Sequence, residues 1–259
     1  MDIKLENIIK NSGNNLHLEI AQYLEQSGWR VDLSSYYYDD TTNKPREIDI
    51  VARKHIEITD IRGSQVVDAF EVCLFIECKY FKNEIAFRLH QNSNGENTKG
   101  IIVEGFNKDE LMYQTGLENS HHYLNVEKVA KLYDAQSDEQ NDIFNAITQP
   151  IKSLVFFKDR EPKKGFYYPV VVYSGINGIY PVEQADLANL QGLQQLKNII
   201  FGVNYSYRST ASGALENQYF CVDFVHKGDF QRFLQFVDSE MGTVRKSLAF
   251  QARKRTTST

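Results

Sequence analysis

Apolar residues at helical spacing open the interpretable part of the chain. They are Leu16, Ile20, Tyr23 and Leu24. A period of about 3.6 residues puts them on one face, so the pattern predicts an amphipathic helix over residues 16–26. Asn14 or Asn15 is the expected N-cap, and Ser27-Gly28 the expected end. Glu19 lies at the edge of the apolar face.

Runs rich in β-branched and aromatic residues follow this helix and predict consecutive strands. The predicted strands cover residues 29–38, 46–53 and 72–81, and residues 55–61 extend the second. Strict alternation in the second strand would give one face to Ile48, Ile50 and Ala52, and the other to Glu47, Asp49 and Val51. A helix followed by three strands indicates an α/β fold.

Charged residues interrupt two of these apolar strands. Asp49 lies within the second strand, and Glu77 and Lys79 share one face near the end of the third. Burial of such groups is costly unless they pair with each other or with a cation. Two carboxylates and a lysine suit metal-assisted hydrolysis of a phosphodiester. The acids can hold Mg²⁺, and the lysine can contact the attacking water or the phosphate.

Asp49 followed by Glu77-Cys78-Lys79 resembles the signature of the PD-(D/E)xK nuclease superfamily. The resemblance implies a restriction-endonuclease-like αβββαβ core, a mixed sheet flanked by helices. It implies that the core motifs lie in residues 14–90, and that C-terminal β-hairpins and a terminal helix elaborate the core over residues 100–259.

The same resemblance implies the chemistry of the site. Asp49, Glu77 and Lys79 would be catalytic, with Glu19 as a helix-borne fourth acid. Mg²⁺ or Mn²⁺ would be held by Asp49, Glu77, Glu19 and the backbone carbonyl of Cys78. The implied activity is a DNA endonuclease of bacterial restriction or anti-phage defence, acting as a homodimer and with a defence-system protein as a further partner.

Composition is compatible with one ordinary globular domain over residues 1–259. Apolar residues make up 42% of the chain and charged residues 24%. No apolar run approaches the ~20 residues that cross a bilayer, so we expect no membrane association. The three cysteines fall in apolar strands, which indicates buried thiols in a reducing cytoplasm.

The net charge of −5 argues only weakly against nucleic-acid binding, because positive charge is clustered. One cluster contains Lys158, Arg160, Lys163 and Lys164, and a second lies at the C-terminus after Glu240. Contact with phosphates is one interpretation. A solvated loop and a frayed tail are the other.

The pattern after residue 90 is less regular. Residues 91–100 have the composition of an exposed loop, after a stretch at 84–90 that could form a short helix. Helices are predicted over residues 126–133 and 140–157, the latter with a strand alternative at 153–157. Residues 167–173 and 179–182 suggest a hairpin, and residues 199–207 and 218–226 a second strand pair.

A final helix is predicted with Asp229 as its cap. Its apolar face consists of Phe230, Phe233, Leu234, Val237 and Met241. His121-His122 is interpreted as a surface pair at a helix start, and Asp223 as a structural acid rather than a site residue.

Two other functions stay open. The chain could be a non-catalytic, nuclease-like subunit that binds nucleic acid as a sensor or assembly component, although the intact Glu77-Cys78-Lys79 argues against this. It could also be a nuclease for RNA with the same site, because recognition of the 2′-OH has no short sequence signature.

Overall fold

The computed structural model describes residues 13–59, 65–92, 94–188, 190–209 and 213–256. The described helices are α1 (Gly13–Gln26), α2 (Asn94–Gly100), α3 (Lys108–Thr115), α4 (Gln140–Arg160) and α5 (Phe230–Thr256). The strands are β1 (Arg30–Asp39), β2 (Lys44–Thr59), β3 (Val66–Tyr80), β4 (Ala86–Gln91), β5 (Ile102–Glu104), β6 (Lys128–Asp134), β7 (Gly165–Ser174), β8 (Tyr180–Val182), β9 (Asn198–Arg208) and β10 (Leu215–His226).

The described strands form one mixed sheet in the order β1-β2-β3-β7-β10-β9-β6-β4-β8, with β5 beside β7. Strands β1, β2 and β3 are antiparallel neighbours. Strand β7 joins them in parallel to β3, and β10 lies parallel to β7. The predicted mixed α/β architecture, a large sheet with helices against it, is therefore confirmed.

Helices cover both faces of this sheet. On one face α1 and α5 pack through residues such as Leu24 and Val237. On the other face α4 packs through residues such as Ile147 and Leu154. Each face buries apolar side chains, which contributes roughly 25 cal/mol per Å² removed from water. The predicted apolar face of the terminal helix is buried throughout.

The N-terminal predictions are largely confirmed, with shifted ends. Helix α1 already includes Asn14 and Asn15, so neither residue is its N-cap. The helix does end before Gly28, whose φ of 80° is readily adopted by glycine. Strand β2 is continuous through residue 59, and the last residues of the predicted extension, 60 and 61, lie outside the described residues.

Several predictions beyond β3 are wrong. Residues 128–134 are strand β6 rather than a helix, because pairing with β4 decides their conformation. Residues 94–100 form helix α2 rather than a loop, and residues 153–157 continue helix α4. Residues 180–182 pair with β4 in parallel instead of forming a hairpin with β7, and β4 itself replaces the predicted short helix.

The expectations for the C-terminal strand pair and for burial of the cysteines are confirmed. Strands β9 and β10 form the predicted antiparallel pair. Cys73, Cys78 and Cys221 are buried free thiols. The described helices include none with the length and apolar character needed to cross a membrane.

Candidate active site

Asp49 lies where strand β2 loses its regular alternation. The pairing with β1 passes from Leu33↔Ile50 to Ser35↔Ile48 and skips Ser34, whose φ is 52°. As a result Ile48 packs in the core under α4, whereas Ile50 packs in the core under α1. The predicted sharing of one face by Ile48 and Ile50 is therefore wrong, because the side-chain alternation of β2 breaks at Asp49, which lies opposite Ser34 and is, like Ser34, left out of the pairing without a shift in register.

The same irregularity directs the Asp49 carboxylate toward strand β3. The ladder between β2 and β3 has its last pair at Ile50↔Ile76. Beyond that pair, the backbone N–H of Cys78 donates to Oδ2 of Asp49 at 2.7 Å. The carboxylate thus takes the place of a backbone acceptor and is fixed beside the end of β3.

Glu77 and Lys79 project from the end of β3 on the face covered by α4. Lys79 Nζ lies 2.8 Å from Oε1 of Glu77. Only 3% of Glu77 is exposed, whereas the Lys79 side chain is 25% exposed. Gln149 of α4 donates its carboxamide nitrogen to the Glu77 carboxylate, 3.1 Å from Oε2, in the amide orientation that satisfies both groups. Gln149 is a site residue that the sequence pattern did not predict.

Helix α1 contributes His17 to this group. Its Nε2 lies 3.4 Å from Oδ1 of Asp49. A pattern for His17 was present in the sequence, because it lies three, four and seven residues before the buried Ile20, Ala21 and Leu24. The site therefore receives side chains from α1, β2, β3 and α4.

Glu19, the predicted fourth acid, has different surroundings. Its Oε2 lies 3.2 Å from Lys227 Nζ, and its side chain is 59% exposed. The structure brings His17, rather than Glu19, from helix α1 into contact with Asp49. The expected role of Glu19 stays a prediction that the contacts do not support.

Negative charge is in excess at this site. Burial and then the neighbouring Asp49 raise the pKa of Glu77 from 4.5 to about 8, despite the opposing effect of Lys79. Burial also raises the pKa of Asp49, against the hydrogen bond from Cys78 and the charge of His17. The carboxylates in turn hold the pKa of Lys79 above its usual value, so the lysine is a cation. A single ammonium does not compensate two buried carboxylates.

The chemistry of these donors suits a divalent cation, although among the described residues the group whose ligand atoms lie within 4.8 Å of one another is His121, His122 and Glu240. Carboxylate oxygens from Asp49 and Glu77 are hard ligands, and His17 adds a ring nitrogen. The predicted contribution of the Cys78 carbonyl stays a prediction, since the contact seen for Cys78 is its N–H donation to Asp49.

A second group of charged residues lies on another part of the sheet and includes His121 and His122. The prediction that these two histidines are a surface pair is wrong. Both histidines are in a buried cluster rather than on the surface. His122 Nδ1 lies 2.6 Å from Glu240 Oε1, and Nε2 lies 3.1 Å from Asp223 Oδ1. Asp223 is thus held by hydrogen bonds, as expected of a structural acid.

The basic cluster at residues 158–164 is largely occupied by ion pairs. Lys164 is bonded to Asp68, Lys163 lies 3.7 Å from Glu71, and Lys158 lies 3.7 Å from Asp159. The guanidinium of Arg160 packs over the ring of Phe156. These contacts agree better with a solvated, salt-bridged segment than with a row of free phosphate ligands.

Comparison of the chain with protein family models, curated proteins and solved structures finds no match in any of the three. The function of the chain is therefore inferred from the chemistry of the site.

Proposed function

We propose that the protein is a metal-dependent endonuclease that hydrolyses DNA phosphodiester bonds. The observation that carries the proposal is the convergence of Asp49, within β2, with Glu77 and Lys79, at the end of the adjacent strand β3. The three groups come from sequence positions far apart, and two of them are carboxylates with little access to water.

The order of elements supports a restriction-endonuclease-like core. Helix α1 precedes three antiparallel strands, and helix α4 leads into a strand parallel to the third. This succession follows the αβββαβ order, with residues 86–134 inserted before α4. Asp49 at an irregularity of the second strand and Glu77 on the third also match that arrangement.

Asp49, Glu77 and His17 would hold the metal, which we propose to be Mg²⁺ or Mn²⁺. When bound, such an ion polarises the scissile phosphate and lowers the pKa of water, as in other metal-assisted hydrolyses. Its positive charge would also offset the excess negative charge of the two carboxylates.

The remaining side chains have roles that follow from their contacts. Lys79, which is charged and partly exposed, can orient the attacking water or neutralise the charge that develops on the phosphate. Gln149 holds the Glu77 carboxylate from the α4 side and fixes its orientation. The Cys78 N–H does the same for Asp49.

Nuclease assays with plasmid, linear and single-stranded DNA test the proposal, with Mg²⁺ or Mn²⁺ and with EDTA. We expect cutting that requires the divalent ion and is lost in Asp49→Asn and Lys79→Met. Glu57→Gln, an exposed acid on the same strand β2, is the control and should cut like the wild type.

Each alternative gives a different result. Cleavage of RNA in preference to DNA would assign the same site to the other polymer. Metal-independent DNA binding without cutting would favour the non-catalytic subunit. Full cutting by folded Asp49→Asn would refute the proposed site. A symmetric dimer with two copies of the site would explain double-strand cuts, and sedimentation of the active protein measures its oligomeric state.

A further inference from the structure

A cavity of about 490 Å³ lies on the opposite face of the sheet from Glu77. The strand register defines the two faces. Glu77 is level with Val171, which packs under α4, whereas Asp223 is level with Val170, which packs under α1 and α5. Asp223 lines the cavity, so this cavity is separate from the candidate active site.

The walls of the cavity are mostly apolar. They include Val225, Ile200 and Phe233, while Phe236 and Leu196 are 45% and 44% exposed and mark its opening to solvent. A volume between about 300 and 1,000 Å³ with apolar walls and few polar groups is typical of small-molecule sites.

Two hydrogen-bond acceptors lie on the floor. In the pairing of β9 with β10, Asp223 is opposite Ile200 and Asn198 is opposite Val225, so the four side chains share one face. Asn198 uses its nitrogen to bond Asp229, and its Oδ1 is buried without a hydrogen-bond partner. A buried amide oxygen without a donor is costly, so a ligand N–H group that reached it from the cavity would relieve this cost.

The charge of the floor is negative. His122 has a carboxylate at each ring nitrogen, so both nitrogens must donate and the ring is a cation. It offsets only one of the two acids, Asp223 and Glu240. Lys128, the lysine in the lining, is bonded to Glu183.

We infer that this cavity binds an organic cation with an apolar body, such as an arylamidinium or a hydrophobic amine. The cationic N–H groups would donate to Asp223 and to Asn198 Oδ1. The apolar body would lie against Ile200, Val225 and Phe233. Oδ1 of Asp223 accepts from His122 and keeps a lone pair for such a donor, whereas Oδ2 already accepts from both Tyr123 and His122.

A metal ion suits the floor less well. His121, His122 and Glu240 bring possible ligand atoms within 4.8 Å of one another. However, His121 Nδ1 accepts the N–H of Tyr123, so Nε2 carries the proton, and both nitrogens of His122 are engaged with carboxylates. A metal would have to displace these protons.

Isothermal titration of the full chain with three probes of one shape tests the inference. The probes are biphenyl-4-carboxamidine, which is a cation, the neutral biphenyl-4-carboxamide and the anionic biphenyl-4-carboxylate. We expect one amidine per chain, bound about tenfold or more tightly than the amide, and no binding of the carboxylate.

Variants locate the binding. Asp223→Asn removes the charge, and Ile200→Trp fills the cavity while leaving every charged group in place. Both should abolish amidine binding, whereas Asp238→Asn, which removes an exposed acid of α5, should not. Equal affinity for the three probes, no binding of the amidine, or amidine binding that survives Ile200→Trp would overturn the inference. The inference would also be overturned if the Asp49→Asn variant still bound one equivalent of Zn²⁺ and this Zn²⁺ competed with the amidine.

Discussion

The Glu77 carboxyl group is 3% exposed, and burial and the neighbouring Asp49 disfavour its charged form. We therefore expect Glu77→Gln to stabilise the metal-free protein while it abolishes cleavage. Glutamine is nearly isosteric and can keep contacts with Lys79 and Gln149. It removes the ionisable group whose charged form is disfavoured in the folded state.

The magnitude follows from the pKa of Glu77, which is about 8 in the folded protein and 4.5 in the absence of the fold. Because the folded pKa is raised, stability is greatest below pH 4.5 and falls as the pH rises toward 8. At about 1.4 kcal/mol per pH unit, the penalty accumulated by pH 7 is about 3 kcal/mol. For a chain of this size, that corresponds to a rise in Tm of roughly 6–12 °C.

Urea denaturation of wild type and Glu77→Gln at pH 7 in EDTA measures the difference, and a series from pH 5 to 8 measures its slope. The variant should lose less stability than the wild type across this range. Glu57→Gln should stay within about 0.5 kcal/mol of the wild type, because the residue is exposed.

Adding a divalent metal should narrow this difference in stability, because the metal binds the wild-type carboxylates. Mg²⁺ at about 100 times its Kd should stabilise the wild type by about 2.7 kcal/mol and Glu77→Gln much less. A Glu77→Gln protein that is less stable than the wild type in EDTA would refute the reasoning, since it would mean that Glu77 is a net stabilising group.

Further predictions concern the metal ligands and the buried histidine. His17→Gln should reduce metal affinity and cleavage by about 10–100-fold, whereas Glu19→Gln should have little effect; the reverse result would restore the expectation from sequence. Because His17 adds a nitrogen ligand, Mn²⁺ should bind more tightly than Mg²⁺ by calorimetry, and equal affinities would argue against this ligand. Asp223 and Glu240 raise the pKa of His122 to about 10, so its contribution to stability should be complete below pH 6.5 and lost as the pH approaches 10. Urea midpoints at pH 6, 8 and 10 should show this loss in the wild type and a smaller one in His122→Phe.

The sequence determined the fold of residues 16–81 with good accuracy. Half-buried strands and an amphipathic helix can be recognised from the spacing of their apolar residues, because one face of each is buried. The terminal helix was predictable for the same reason. Asp49, Glu77 and Lys79 were identifiable because charged residues are rare in otherwise apolar strands.

Tertiary structure decided the features of the fold that the local sequence pattern does not encode. Residues 128–134 are a strand because β4 and β9 pair with them, although their own pattern allowed a helix. The irregularity at Ser34 and Asp49 reassigned the faces of β2, and the alternation of residues 46–53 does not signal it.

Tertiary packing also decided which residues belong to the candidate active site. Gln149 reaches Glu77 only because α4 packs across β3, and His17 rather than Glu19 reaches Asp49 because of how α1 is rotated on the sheet. The buried cluster around His122 joins residues about 100 positions apart, since distant strands and helices bring them together. Sequence pattern thus determines which residues are unusual, and packing determines which of them meet.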